Sequence, residues 1–247
     1  MNKFNAIVLL IILQCFIQKI SYGQLHTDSN SDKAAAANAI SVYYQSLGEQ
    51  SGIYNGPQYT GYPHKLDGGQ PFFGSGEVSR GTIYYDGMLY KDIPMWYDLV
   101  KNEVVVLYVD NYSKISLHTE KIDYFSVFDH LFIHVVKDTA NASAIPSGFY
   151  DIIYQGKSEV LVKQSKELLQ RTTLEGIWIT VIKQKNDPYL KKGDQYYPLK
   201  NVGAVMKALG SNQKEIQLYL KKNKIKFRKD PEKATVMIVA YYDQLND

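Results

Sequence analysis

Two histidines four residues apart, His130 and His134 in "DHLFIHVV", are the first candidates for chemistry in this chain. On a helix that spacing puts both imidazoles on one face, where a zinc ion takes them, and an H-E-x-x-H form would add a general base. The glutamate is missing here, and the local rhythm reads as a strand. On a strand His130, Phe132 and His134 still share a face, and His118 from a neighbouring strand can approach it. Two readings stay open: weak metal candidates at His130 and His134, or two half-buried histidines of a sheet. The expectation is no bound metal and no cofactor.

Asp86, Asp92 and Asp98 recur every six residues. Paired carboxylates facing a cleft would suit glycoside hydrolysis. Each of these aspartates, however, falls where a turn or a strand start is expected, and aspartate bonds its own backbone there. Ser75 lies in a short "GSG", without the G-x-S-x-G elbow or S-x-x-K element that activates a serine, and no phosphate-binding glycine loop is present. The catalytic residues are therefore unassigned, and the expectation leans away from an enzyme.

The chain has 21 tyrosines. Tyrosine suits strands, and it suits binding surfaces because an apolar ring carries a polar tip. The segment "GEQSGIYNGPQYTGYPHKLDGGQPFFGSGEVSRG" gathers Tyr54, Tyr59, Tyr62, His64, Phe72 and Phe73 among glycines and prolines. A stretch this long without periodicity is often functional. These six residues are the ligand-binding candidates. The alternative is that the segment covers an open end or face of a sheet with its rings as a plug.

The elements that must position these residues follow from turn chemistry. "GTIYY-DG-MLY" reads as a hairpin, because Asp86-Gly87 suits the left-handed dihedrals of a two-residue turn. "IPMWYDL" and "EVVVLYV" flank "VKN" as a second hairpin. "SKISLHTEKIDYFSV" and "HLFIHVVKD" continue the meander, "GFYDIIY" and "SEVLVKQ" bracket "QGK", and "DPYLKKGDQYYPL" turns at Gly193-Asp194, after a less regular stretch around "GIWITVIKQ". About ten short strands at such spacing predict an antiparallel meander, as a curved sheet or partly closed barrel. Alternation puts Tyr84 and Tyr85, and likewise Trp96 and Tyr97, on opposite faces, so half of these rings are core.

Helices flank the strands. "SDKAAAANAISVYYQSLG" predicts an N-terminal helix with Ala36, Ile40, Tyr43 and Leu47 facing a core. After Pro198, "NVGAVMKAL" ends at Gly210, "SNQKEIQLYLKKN" starts on a Ser211 cap, and "DPEKATVMIVAYYDQL" starts on Asp230 with Pro231 in the first turn. The fold class expected is α+β, mostly β, with residues 32–199 as the β domain and residues 200–247 as a basic helical appendage. Residues 183–233 hold 14 Lys and Arg against 5 Asp and Glu, a net +9, while the whole chain carries +3.

"MNKFNAIVLLIILQCFIQKISYGQ" has a lysine, an apolar run too short to span a bilayer, and small residues at its end. It predicts a signal peptide over residues 1–23, export to the periplasm or cell surface, and no transmembrane segment after cleavage. Cys15, the only cysteine, lies inside that run. The mature chain then has no disulfide, no thiol nucleophile and no cysteine-ligated metal.

The landmarks "NAISVYYQSLGEQSGIYNGPQY", "GTIYYDGMLYKDIPMWYDL", "ISLHTEKIDYF", "GFYDIIYQG" and "YLKKGDQYYPLKN", followed by paired helices, resemble a functionally uncharacterised family of exported envelope proteins of Bacteroidetes-type bacteria. The hairpin rhythm is also similar to that of periplasmic lipid carriers with curved sheets. The first likeness implies an exported envelope protein; the absence of catalytic motifs and the aromatic-rich sheet point to a non-enzymatic binding, scaffold or assembly role. The alternatives are a carrier holding an acyl chain against Val105, Leu107, Phe125 and Ile133, or a hydrolase of glycan or lipid built on His118, His130 and His134. The partners expected are another envelope protein, a glycan or a lipid, and no nucleic acid.

Overall fold

The computed structural model describes residues 52–137 and 145–246, and in addition Ala35, Asn38, Ala39, Val42, Tyr43 and Ser46. The expected signal peptide with Cys15, and Ala36, Ile40 and Leu47, lie outside the described residues. The six residues described before position 52 are helical, as the alanine-rich pattern predicts. Tyr43, expected to face a core, is instead 58% exposed. The described residues from Ser46 onward belong to one compact unit.

That unit is mostly β. Its strands are β1 (Ser79–Tyr85), β2 (Met88–Asp98), β3 (Glu103–Leu107), β4 (Lys114–Ser116), β5 (Ile122–Val127), β6 (His130–Val135), β7 (Gly148–Gln155), β8 (Glu159–Thr172), β9 (Trp178–Lys192) and β10 (Gln195–Pro198). All neighbours are antiparallel. The order is β10-β9-β8-β7-β6-β5-β1-β2-β3-β4, an open sheet with β4 and β10 at its edges. The meander expected from the turns is present, with one jump: β4 leads to β5, which pairs on the far side of β1.

The sheet is rolled. In a flat sheet β2 and β7 would stand about 19 Å apart, four spacings of ~4.8 Å. Yet Tyr97 of β2 meets Phe132 of β6 at 5.0 Å and Phe149 of β7 at 5.7 Å, ring to ring. Phe125 of β5 stacks on Phe132 at 5.0 Å. With Ile83, Tyr85, Met95, Val104 and Val106 these rings fill the concave face. Edge-to-face and offset stacking add about 0.5–1.5 kcal/mol per pair beyond the area buried. The interior is a packed core.

Asp86 and Gly87 have left-handed φ of 51° and 78°, the geometry of the turn read from the sequence. "MLY" and "IPMWYD" are not two strands but one, β2, carried through an irregularity where Asp92 takes φ 56° and the register against β1 shifts between Gly81 and Ile83. "GIWITVIKQ" and "DPYLKK" also merge, into β9, which pairs residue for residue with β8 from Glu159↔Lys191 to Thr172↔Trp178.

Three helices follow: α1 (Val202–Leu209), α2 (Gln213–Lys222) and α3 (Pro231–Leu245). Asn201 caps α1 through Ala204 N, and Asp230 caps α3 through Lys233 N. The residue at the cap of α2 is Asn212, in the left-handed region, not Ser211. Val205, Leu209, Ile216, Ile238 and Val239 pack with Val160, Leu190 and Leu199, so the helical segment shares a core with the sheet. Asp243 of α3 is buried and accepts from Ser158 N and Ser158 Oγ, both at 3.0 Å, and from Tyr154 Oη at 3.1 Å. No helix among the described residues is long and apolar enough to cross a membrane.

Candidate functional site

The glycine-rich segment from Gly52 to Gly76 clads the sheet. Ser116 N donates to Pro57 O and Tyr59 N to Lys114 O, which seats the segment on the β4 edge. Gly56 is required there: a Cβ would lie 1.9 Å from Ser116 O. Farther on, Ile182 N donates to Gly68 O, Asp67 N donates to Thr180 O, and Phe73 N donates to Tyr97 O. One segment thus ties β4, β9 and β2 together.

This path brings Tyr59, Tyr62 and Phe72 to one place. Tyr59 Oη donates to Asp98 Oδ2 at 2.7 Å, and Tyr62 Oη lies 2.7 Å from both carboxylate oxygens. Val100 N and Lys101 N donate to Asp98 Oδ1 at 2.9 and 3.0 Å, closing the β2–β3 turn. Lys101 Nζ lies 4.6 Å from the Tyr59 ring and 5.1 Å from the Tyr62 ring, and donates to Gly61 O. Lys114 Nζ stands 4.2 Å over Trp96, whose indole donates to Gly76 O and which packs 6.3 Å from Phe72. Trp96 is buried although it lies opposite Met95 and Tyr97, because Phe72 covers that face.

The chemistry of this cluster is architectural. A carboxylate offers about four lone-pair sites, and Asp98 has filled them with two tyrosines and two amides. Burial, reinforced by the Asp98 charge, holds both tyrosine hydroxyls far above their usual range, so they remain protonated donors. Asp86 pairs with Lys121 at 3.0 Å and Asp92 with Arg80 at 2.8 Å, both on the surface. Asp86 and Asp98 therefore sit at turns, and Asp98 bonds the backbone of its own turn as expected, whereas Asp92 lies at an irregularity inside β2 and not at a strand start.

The other candidates are dispersed. Tyr54 packs edge-on against Tyr108 at 5.1 Å. Phe73 is buried between His130 and Phe132. His64 is exposed. Val105 and Phe125 are buried, whereas Leu107 and Ile133 are half-buried, and Ile133 packs with Tyr150 and Leu161 in a cluster separate from that of Phe125.

The histidines also separate. His130 Nδ1 lies 2.7 Å from Asp151 Oδ2, which also accepts from Gln164 Nε2 at 3.0 Å. His134 packs on Phe149 at 5.0 Å, and burial depresses its pKa. His118 approaches Glu120 at 3.7 Å. Among the described residues no three His, Cys, Asp or Glu side chains converge. Asp151 is almost wholly buried, which raises its carboxyl pKa against the opposing pull of His130. An aspartate that orients a histidine is two-thirds of a hydrolytic triad. The nucleophile that would complete it must lie about 2.6–3.2 Å from the second ring nitrogen. Among the described residues the His130 ring is bonded only to Asp151.

Two features were not singled out in the sequence. The first is the end of the β8–β9 hairpin. Thr173 N donates to Ile177 O at 2.8 Å and Gly176 N to Thr173 O at 3.0 Å, with Gly176 at φ 79°. This turn presents Leu174, Ile177 and Trp178 at 104%, 60% and 73% exposure. The signal was there in "TTLEGIW": apolar residues inside a turn, where alternation gives them no buried face. The second is an open groove of ≈ 710 Å³ between α1 and α2, lined by the apolar Val202, Met206 and Leu220 together with Gln213, Gln217, Lys207 and Lys221. No family model, curated protein or solved structure matches this chain.

Proposed function

We propose that this chain is an exported, non-enzymatic binding and assembly module of a bacterial envelope, and that the β8–β9 hairpin is its binding element. The observation that carries the reading is the exposed Leu174, Ile177 and Trp178 at the hairpin end. Soluble proteins rarely expose clustered large apolar side chains unless they meet a partner. The polar groups favour the same reading. Asp98 is saturated by internal donors, and among the described residues no nucleophile bonds the His130–Asp151 pair. A carrier would need an empty interior, and this one is filled by Tyr97, Phe125, Phe132 and Phe149. Export rests on the leader-like residues 1–23.

The test is fractionation of cells expressing the chain or its Leu174→Ser/Ile177→Ser/Trp178→Ser variant. The wild type is expected in the exported fraction, shortened by its leader and sedimenting with envelope fragments. The variant is expected to be exported and folded but released from those fragments. A chain retained in the cytosol, or a variant that sediments like the wild type, would refute the proposal.

A further inference from the structure

We propose that the hairpin end of one copy docks in the α1–α2 groove of a second copy, so that this chain assembles head to tail. The inference rests on the binding reading above and names the partner of that same hairpin.

The projecting element is built to reach. β7 pairs with β8 only as far as Val162, and β10 pairs with β9 only over Tyr189–Lys192. The ten rungs from Lys163↔Asp187 to Thr172↔Trp178 form a ribbon of two strands, about 33 Å long at ~3.3 Å per residue. Its middle is braced: Lys166 N donates to Leu99 O at 3.0 Å, and Lys166 Nζ donates to Gln70 O and Phe72 O. Asp67 and Gly68 bond along Thr180–Ile182. The brace stops short of Trp178 and the turn. The end is thus ordered before it meets anything, which lowers the entropic cost of docking.

The two surfaces are complementary. The turn offers a leucine, an isoleucine and an indole around the exposed Glu175, with the exposed Arg171 one rung behind Trp178. The groove is lined by Val202, Met206 and Leu220 with two glutamines and two lysines, and its volume lies inside the roughly 300–1,000 Å³ range of pockets that accept a compact ligand. Residues 200–233 hold ten Lys and Arg against three Asp and Glu. Two of those three acids are engaged locally, Asp230 as the cap of α3 and Glu232 with Asn186 at 2.6 Å. Lys207 and Lys221 are exposed and form no ion pair among the described residues. A bilayer fits the same end less well, because Glu175 leads and would meet anionic headgroups first. Among the described residues nothing covers the end, and the groove proposed for it is another molecule's. Such a contact is heterologous, and it closes into a ring or runs on as a filament.

Sedimentation velocity of the purified chain over a wide concentration range tests this. Growth in mass with concentration is expected, and each of two exposed variant sets should abolish it: Ile177→Ser/Trp178→Ser at the end, and Lys207→Glu/Lys221→Glu at the groove. Circular dichroism and melting temperature check that both remain folded. Mixing the two variants should restore one junction and give a 1:1 complex, because each retains one good surface. Glu175→Lys should bind the Lys207→Glu/Lys221→Glu chain at least tenfold more tightly than it binds the wild type. A chain that is monomeric throughout, oligomers indifferent to the groove variant, or a mixture that stays monomeric would overturn the inference. So would flotation with vesicles of anionic phospholipid that depends on Trp178. If self-association fails while end-dependent sedimentation with envelope fragments persists, the inference falls and the binding reading stands. If both are lost, both fall.

Discussion

Asp98 is the carboxylate on which the difference between a reactive site and a structural one can be measured. It is fully buried, at the end of β2, and it accepts from Val100 N, Lys101 N, Tyr59 Oη and Tyr62 Oη. A hydrogen bond to a charged group contributes about 1.5–3 kcal/mol. Four such bonds do not add, since the half-exposed tyrosine hydroxyls recover water when the carboxylate is removed. Asp98→Ala is therefore expected to cost about 3–5 kcal/mol, the range for deleting one member of a buried charged network. For a chain of this size that is a fall in Tm of roughly 6–20 °C. Tyr59→Phe and Tyr62→Phe should each cost about 1–2 kcal/mol in the wild type and close to nothing in the Asp98→Ala background, which is the coupling a double-mutant cycle reads.

The assay is urea unfolding followed by Trp96 fluorescence in a Trp178→Phe background, where the buried indole is the only reporter. The slope with urea should stay constant while the midpoint moves. If Asp98→Ala lies within about 0.5 kcal/mol of the wild type, as surface substitutions do, the carboxylate is not the hub of the loop. It would then be free for other chemistry, and the architectural assignment would fail.

Three further outcomes follow from the same geometry. Gly56→Ala drives a Cβ to within 1.9 Å of Ser116 O, so it should unseat the glycine-rich segment; Trp96 should become accessible to acrylamide, and unchanged quenching would contradict the covering role. Asp243→Ala strips three hydrogen bonds from Ser158 and Tyr154, and about 2–4 kcal/mol of lost stability is expected, with hydrogen exchange fastest in α3; uniform exchange across the sheet and helices would argue against a local pin. Burial lowers the pKa of His134 below its ordinary 6.5. The unfolded chain then takes up a proton that the folded chain refuses, so stability should fall as pH drops below about 6.5. His134→Gln should flatten that limb, and an unaltered slope would show that other groups govern it.

The parts legible in the sequence were those set by neighbouring residues. Asp86-Gly87 makes its own turn, Asp230-Pro231-Glu232 starts its own helix, and Gly210 ends one with φ 79°. The parts that were not legible depend on distant partners. Pro188 looked like the start of a new strand, yet β9 runs through it, and its carbonyl accepts from Leu199 N at 2.8 Å. Residues 52–76 show no periodicity because their hydrogen bonds go to Lys114, Tyr97 and Ile182 one at a time. Tyr59, Tyr62 and Phe72, three of the six ligand candidates, meet in the fold, but nothing local says that their common point is Asp98. Spacing pairs His130 with His134 on one strand face, whereas the hydrogen-bond partner of its ring is Asp151 on β7.

Positions that folding does not explain are the ones left for function. The turn at the end of the β8–β9 hairpin is held by the backbone of Thr173 and Ile177 and by the freedom of Gly176 at φ 79°. Those bonds would form equally well with polar side chains at 174, 177 and 178. The cores are already closed by Tyr85, Tyr97, Phe125, Phe132 and Phe149 on the concave face and by Ile216, Ile238 and Val239 under the helices. Leu174, Ile177 and Trp178 add to neither. Each would be less prone to aggregate as serine, because an apolar ribbon end is a liability for an isolated chain. The rings in the glycine-rich segment have a sufficient structural reason, since removing them would bare Trp96 and leave Asp98 without its donors. The three residues at the hairpin end have none among the described residues, and the proposed partner surface would account for them.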